Sequence, residues 1–133
     1  MNTENILVPF VNMASALKAL YHSFSLAKRI GAKVFVLFFK NADTGGVQTS
    51  SLEKACMEMV NSASEEGMSV SFHIIHDRFQ PELIDIIEKE HIAIIVIGAG
   101  DTKTESVLKK IRSRITVQII KVEGKNNINF ISV

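Results

Sequence analysis

Few residues in this chain combine the type and the spacing that chemistry requires. His73 and His76 stand three positions apart in a segment of strand character, so their side chains tend to opposite faces. No cysteine or carboxylate spacing beside them completes a metal site. His22 follows Tyr21 in a helical stretch, and His91 ends another, where a cation complements the helix dipole. Cys56 is the sole cysteine. It sits between Ala55 and Met57 and reads as a small packed side chain, and a chain without disulfides points to a reducing compartment. Serine and histidine are both present, but no Gly-x-Ser-x-Gly elbow presents a nucleophile. Walker and dinucleotide glycine motifs are missing. A phosphoacceptor aspartate needs companion acids after the first strand to hold Mg²⁺, yet Phe10-Val11-Asn12 stands there. Asp77 follows the third strand alone and reads as a cap, with Gln80 at capping-box spacing. The expectation is a protein with no catalytic residues, no metal and no cofactor.

The elements that must position these residues are clearer. Short runs rich in β-branched and aromatic residues cover Ile6–Val11, Lys33–Phe39, Ser69–Ile75, Ile92–Ile97 and Thr116–Val122. Between them, Met13–Ile30 places Leu17, Leu20, Phe24, Ala27 and Ile30 on one predicted helical stripe, ended by Gly31. A second helix is expected over Ser51–Glu66 and stops at Gly67. Ser50 with Glu53, and Thr102 with Glu105, have capping-box spacing ahead of the second and fourth helices. Pro81 suits the first turn of the third, with Leu83, Ile86 and Ile87 facing inward. The alternation predicts an α/β three-layer sandwich around a parallel sheet. One domain is expected over residues 1–133, with an α/β core to 122 and a tail over 123–133.

Strand polarity predicts the sheet order. Val34–Phe39 and Ile92–Ile97 are apolar throughout, as central strands covered on both faces must be. Ser69–Ile74 alternates, and Thr116–Val122 carries Gln118 and Lys121, which suits edges. The order is therefore 3-2-1-4-5, a five-stranded parallel sheet, plus a C-terminal tail strand that either packs back on its own sheet or crosses to a partner. With 133 residues, 47% hydrophobic, 22% charged and a net charge of +1, the chain can bury a core and has no global field for nucleic acid or anionic lipid. Its longest apolar runs are far below the ~20 residues of a membrane helix, and no basic leader opens it. A cytoplasmic protein is expected.

In order and spacing, several pieces of the sequence resemble the universal stress protein family. They are Asn5-Ile6-Leu7-Val8-Pro9, Ala27-Lys28-Arg29-Ile30-Gly31-Ala32-Lys33-Val34, Pro81-Glu82-Leu83-Ile84-Asp85-Ile86-Ile87-Glu88 and Ile94-Ile95-Val96-Ile97-Gly98. The resemblance covers residues 4 to about 122 and implies the same strand order, with homodimers that pair along the fifth strands. It also implies an adenine nucleotide site at the C-terminal edge of the sheet. That site carries an acid past the strand 1 proline and a Gly-x-x-Gly turn, followed at fixed spacing by Gly-Ser or Gly-Thr.

The residues at those positions here are Pro9, Val11, Gly98, Gly100 and Asp101, a degenerate version of that site. Val11 replaces the acid, Asp101 replaces the second glycine, and the spacing then leads to Ile111-Arg112. The Asp101 carboxylate would repel a triphosphate. Lys103, Lys109, Lys110, Arg112 and Arg114 make the following stretch basic, and most of it reads as charge complementing the end of the fourth helix. The expectation is a non-catalytic stress-response or regulatory protein, a homodimer through strand 5 and the tail, that binds a protein partner or small ligand and does not bind ATP tightly. The alternative is a nucleotide-binding member that takes AMP or ATP weakly at the degenerate site, with at most slow hydrolysis.

Overall fold

The computed structural model describes residues 4–11, 15–40, 47–76, 78–123 and 128–131. Strands and helices alternate as β1 (Asn5–Phe10), α1 (Ser15–Ile30), β2 (Lys33–Phe39), α2 (Val47–Glu65), β3 (Val70–Ile75), α3 (Phe79–Lys89), β4 (Ile92–Gly98), α4 (Thr102–Ile111), β5 (Gln118–Val122) and β6 (Ile128–Ile131). The sheet order is β3-β2-β1-β4-β5-β6. The first five strands are parallel, in the order that strand polarity predicts. β6 lies antiparallel to β5, with Ile119 opposite Ile131 and Val122 opposite Ile128. This corrects one expectation: β5 is an interior strand with a neighbour on each side, and of the two polar residues that marked it as an edge Gln118 is exposed while Lys121 answers to a neighbouring helix. Lys121 reaches Glu105 of α4 at 3.8 Å.

Alternate strand residues feed two cores, one on each side of the sheet. Ile6, Val8, Phe10, Val34, Val36, Phe38, Ile94 and Val96 pack under α1 and α2 with Ala19, Leu20, Cys56 and Val60. Leu7, Phe35, Leu37, Ile95, Ile97 and Ile119 pack under α3 and α4 with Leu83, Ile87, Leu108 and Ile111. Strands buried on both faces need apolar residues at every position, which is why β2 and β4 show no alternation. Phe10 and Phe38 stack at 5.2 Å across the first core.

Helix ends differ in detail from the sequence reading. Gly31 closes α1 at φ +70°, with its N–H donated to the Ala27 carbonyl at 2.8 Å, as a C′ glycine does. Of the predicted stripe, Leu20 and Ala27 are buried and Leu17 and Phe24 pack against the core, whereas Ile30 is 45% exposed; Ala16, Ala19 and Ser23 complete the buried face. Ser23 is buried at no cost in unmet hydrogen bonds because its hydroxyl donates to the Ala19 carbonyl at 2.7 Å. α2 begins at Val47, so Ser50 lies inside the helix and not ahead of it. Asp77, the expected cap before the third helix, lies outside the described residues. Arg78 precedes α3 in the left-handed region at φ 59° and makes no side-chain cap bond.

Candidate functional site

The sheet opens at one place. β1 keeps register with β2 up to Phe10 and Phe38, but its register with β4 ends at Leu7 and Ile95. The chain turns outward in opposite directions from β1 and β4, and in open α/β sheets ligands bind beyond the carboxyl ends of the strands at such a switch point. Pro9 and Val11 stand at the end of β1, Gly98 ends β4, and Gly100 and Asp101 form the turn into α4. The fold thus brings the five predicted residues to the same edge of the sheet.

Their packing is not that of an open cradle. Pro9 is buried, and Val11 is buried in the core under α3 and α4. Gly98 is in close contact with the start of α1: a Cβ there would lie 2.6 Å from the Ser15 carbonyl oxygen and 2.8 Å from its Oγ. Glycine is needed here so that the first turn of α1 can settle over the end of β4. Ser15 is a residue that the sequence reading missed, and its buried hydroxyl has no partner among the described residues. The available signal was a small polar residue opening the helix after strand 1.

Gly100 adopts φ +84°, which lets the chain reverse between β4 and α4. The Asp101 N–H donates to the Gly98 carbonyl at 3.2 Å, and the Thr102 N–H to the Gly100 carbonyl at 2.8 Å. Asp101, not Thr102, is the N-cap of α4: its Oδ1 accepts from the Thr104 N–H at 3.1 Å. The carboxylate is only 4% exposed. Burial raises its pKa above the ordinary carboxylate value, and hydrogen bonds from Thr104 offset part of that rise. The partial positive charge of a helix N-terminus, which elsewhere attracts phosphate, is here met by the chain's own acid.

Lys103 is the nearby cation, and its setting could not be read from spacing along the chain. Its Nζ lies 4.0 Å from the centroid of the Phe39 ring and 5.3 Å from that of Phe79, over the ends of β2 and α3. Further along α4, Lys109 pairs with Glu105 at 3.6 Å, and beyond it Arg114 meets Glu88 at 3.8 Å. His73 and His76 are exposed, and among the described residues no group of three or more His, Cys, Asp or Glu could hold a metal ion. Nor is any helix among them long and apolar enough to cross a membrane.

No family model and no curated protein matches the sequence. Solved structures do match the fold. The chain is similar to the universal stress protein UspA from Lactobacillus plantarum, at 16% identity and a TM-score of 0.69, over 92% of this chain and 99% of that one. It is similar to a universal stress protein from Archaeoglobus fulgidus in complex with dAMP, at 14% identity and a TM-score of 0.60, over 92% and 98% of the two chains. A universal stress protein family protein from Arabidopsis thaliana with AMP bound matches at 13% identity and a TM-score of 0.59, over 92% and 94%. At these identities the likeness is one of architecture, and what the chain shares with these proteins is the universal stress protein fold.

Proposed function

We propose that this chain is a cytoplasmic, non-catalytic regulatory or stress-response protein of the universal stress protein type. It acts as a homodimer by binding a protein partner or a small ligand, and it does not bind ATP tightly. The observation that carries this reading is Asp101. Where a phosphate-binding turn offers free backbone N–H groups, this turn places a buried carboxylate that already caps α4. A triphosphate at that position would face negative charge and a helix terminus whose Thr102 and Thr104 N–H groups are already engaged.

A second reading keeps a weak mononucleotide site at the same strand ends. Two of the similar structures named above hold adenine mononucleotides, dAMP and AMP. Adenosine would then lie against backbone groups beside Pro9, Val11, Gly98 and Gly100, and AMP would suffer less than ATP from the Asp101 charge. Thermal-shift and calorimetric titration with ATP, ADP and AMP, with and without Mg²⁺, separates the two. Nucleotide at a hundred times its dissociation constant adds about 2.7 kcal/mol of stability. The proposed function expects no shift at millimolar nucleotide and no release of ADP from ATP. A shift with AMP alone establishes the second reading, and tight ATP binding overturns the first.

A further inference from the structure

The outer edge of β3 is unprotected. The strand pairs with β2 in unbroken register from Val70 to Ile75, and among the described residues nothing pairs with its other side. Ser69 and Ile75 direct their carbonyls to β2, accepting from Val34 and Lys40. The two-residue period of a strand therefore turns the N–H and C=O groups of Val70, Phe72 and Ile74 outward. Natural edge strands are blunted by lysine, proline or a bulge. Val70-Ser71-Phe72-His73-Ile74-Ile75 has none of these, and Ile74 is 42% exposed.

Beside this edge, on the α3 side, runs a groove of about 220 Å³. Leu37, Ile75 and Ile86 line its buried apolar part, and Glu82, Asp85 and Glu90 line the remainder together with Lys89 and His73. No ion pair among the described residues neutralises Glu82 or Asp85. We propose that the β3 edge and this groove form a docking surface for an extended, basic segment of a partner protein, which adds a strand to the sheet. Its backbone pairs with Val70, Phe72 and Ile74, and its lysine or arginine side chains meet Glu82 and Asp85. A second copy of this chain is the poorer occupant. Two-fold pairing of β3 with β3 would set one α3 beside the other and bring the same acids together across the seam.

The proposal names the surface for the protein partner invoked above, and it rests on that reading; the nucleotide titration comes out the same whether this surface binds or not. The probe is a synthetic eight-residue peptide of alternating lysine and valine, with a glutamate–valine peptide as charge control. Titrated into the full chain and followed by amide NMR, the lysine peptide should shift Val70, Phe72 and Ile74 and bind more weakly as salt rises. Asp85→Lys combined with Glu82→Lys should weaken it at least tenfold. Ile74→Pro removes an outward-facing donor that β2 does not use, so the fold should persist while binding is lost. Equal binding of both peptides, or no shift at millimolar peptide, overturns the proposal. So does self-association that Ile74→Pro abolishes, which would make a second copy the occupant.

Discussion

Asp101 shows how one residue changes role with its surroundings. From spacing alone it is a charge standing where a glycine would be, a reason to expect poor phosphate binding. In the fold it is also the cap of α4, buried and bonded to the Thr104 N–H, which no count along the chain could establish because Thr102 had the better capping signature. Its raised pKa has a consequence for stability. The folded chain holds the proton more firmly than the unfolded chain, whose carboxyl titrates near 3.8. In the pH window just above that value the native state binds more protons, so stability falls as pH rises through the folded pKa and levels off above it. Asn caps helices about as well as Asp and does not titrate. Asp101→Asn should therefore leave the helix intact and remove this part of the pH dependence. Urea midpoints measured from pH 4 to 8 check it: the variant should gain on the wild type as pH rises. Parallel profiles would show that Asp101 titrates like an ordinary carboxyl. Cys56, by contrast, meets its sequence expectation directly: burial, and secondarily the nearby Glu53 charge, push its thiol up to about 12, so it is a packing residue and not a nucleophile.

Elements were more legible than residues because their signals are summed over many positions. The all-apolar runs of β2 and β4 could be satisfied only in the middle of a covered sheet, and together with the polar positions of β3 and β5 they predict the order of the five parallel strands. Lone residues at element ends were misread for the opposite reason. Ile30 continues the helical stripe of α1 by spacing, yet in the last turn of the helix only Ala27 is buried and Ile30 stays 45% exposed. The polar residues of β5 suggested an edge, because nothing in the sequence shows that α4 places Glu105 within reach of Lys121. A pair of truncations tests this difference in burial. Leu83 of α3 is fully buried among the second core, so Leu83→Ala should cost about 2–5 kcal/mol. Ile30→Ala should stay within about 0.5 kcal/mol. Chemical denaturation gives both values on one scale, and a large loss at Ile30 would mean that its side chain is covered in solution, for instance by a partner.

At the scale of the whole molecule, the sheet has two ends that are unpaired among the described residues, and they are of unlike character. One is β3 beside the acids of α3; the other is β6, a four-residue strand laid antiparallel on β5. Ile128-Asn129-Phe130-Ile131 carries no charge and no proline, so by sequence this end is also unguarded. Two-fold pairing at one end closes after two copies, whereas two-fold pairing at both ends would propagate without limit. A chain that remains discrete therefore pairs with itself at no more than one end. The acids that oppose self-pairing at β3 leave the β6 end for the second copy, so the proposed homodimer would pair along the tail strand and not along β5, whose two sides are taken by β4 and β6. Light scattering after size exclusion at micromolar protein and physiological salt should give twice the mass of the chain. Phe130→Lys, which places a guarding charge on the outer strand, should halve it, while Ile74→Pro at the other end should leave it unchanged. A strictly monomeric wild type would remove the dimer from the proposed function. A dimer dissolved by Ile74→Pro and spared by Phe130→Lys would exchange the roles of the two ends, putting self-association at β3 and leaving β6 as the edge open to a partner.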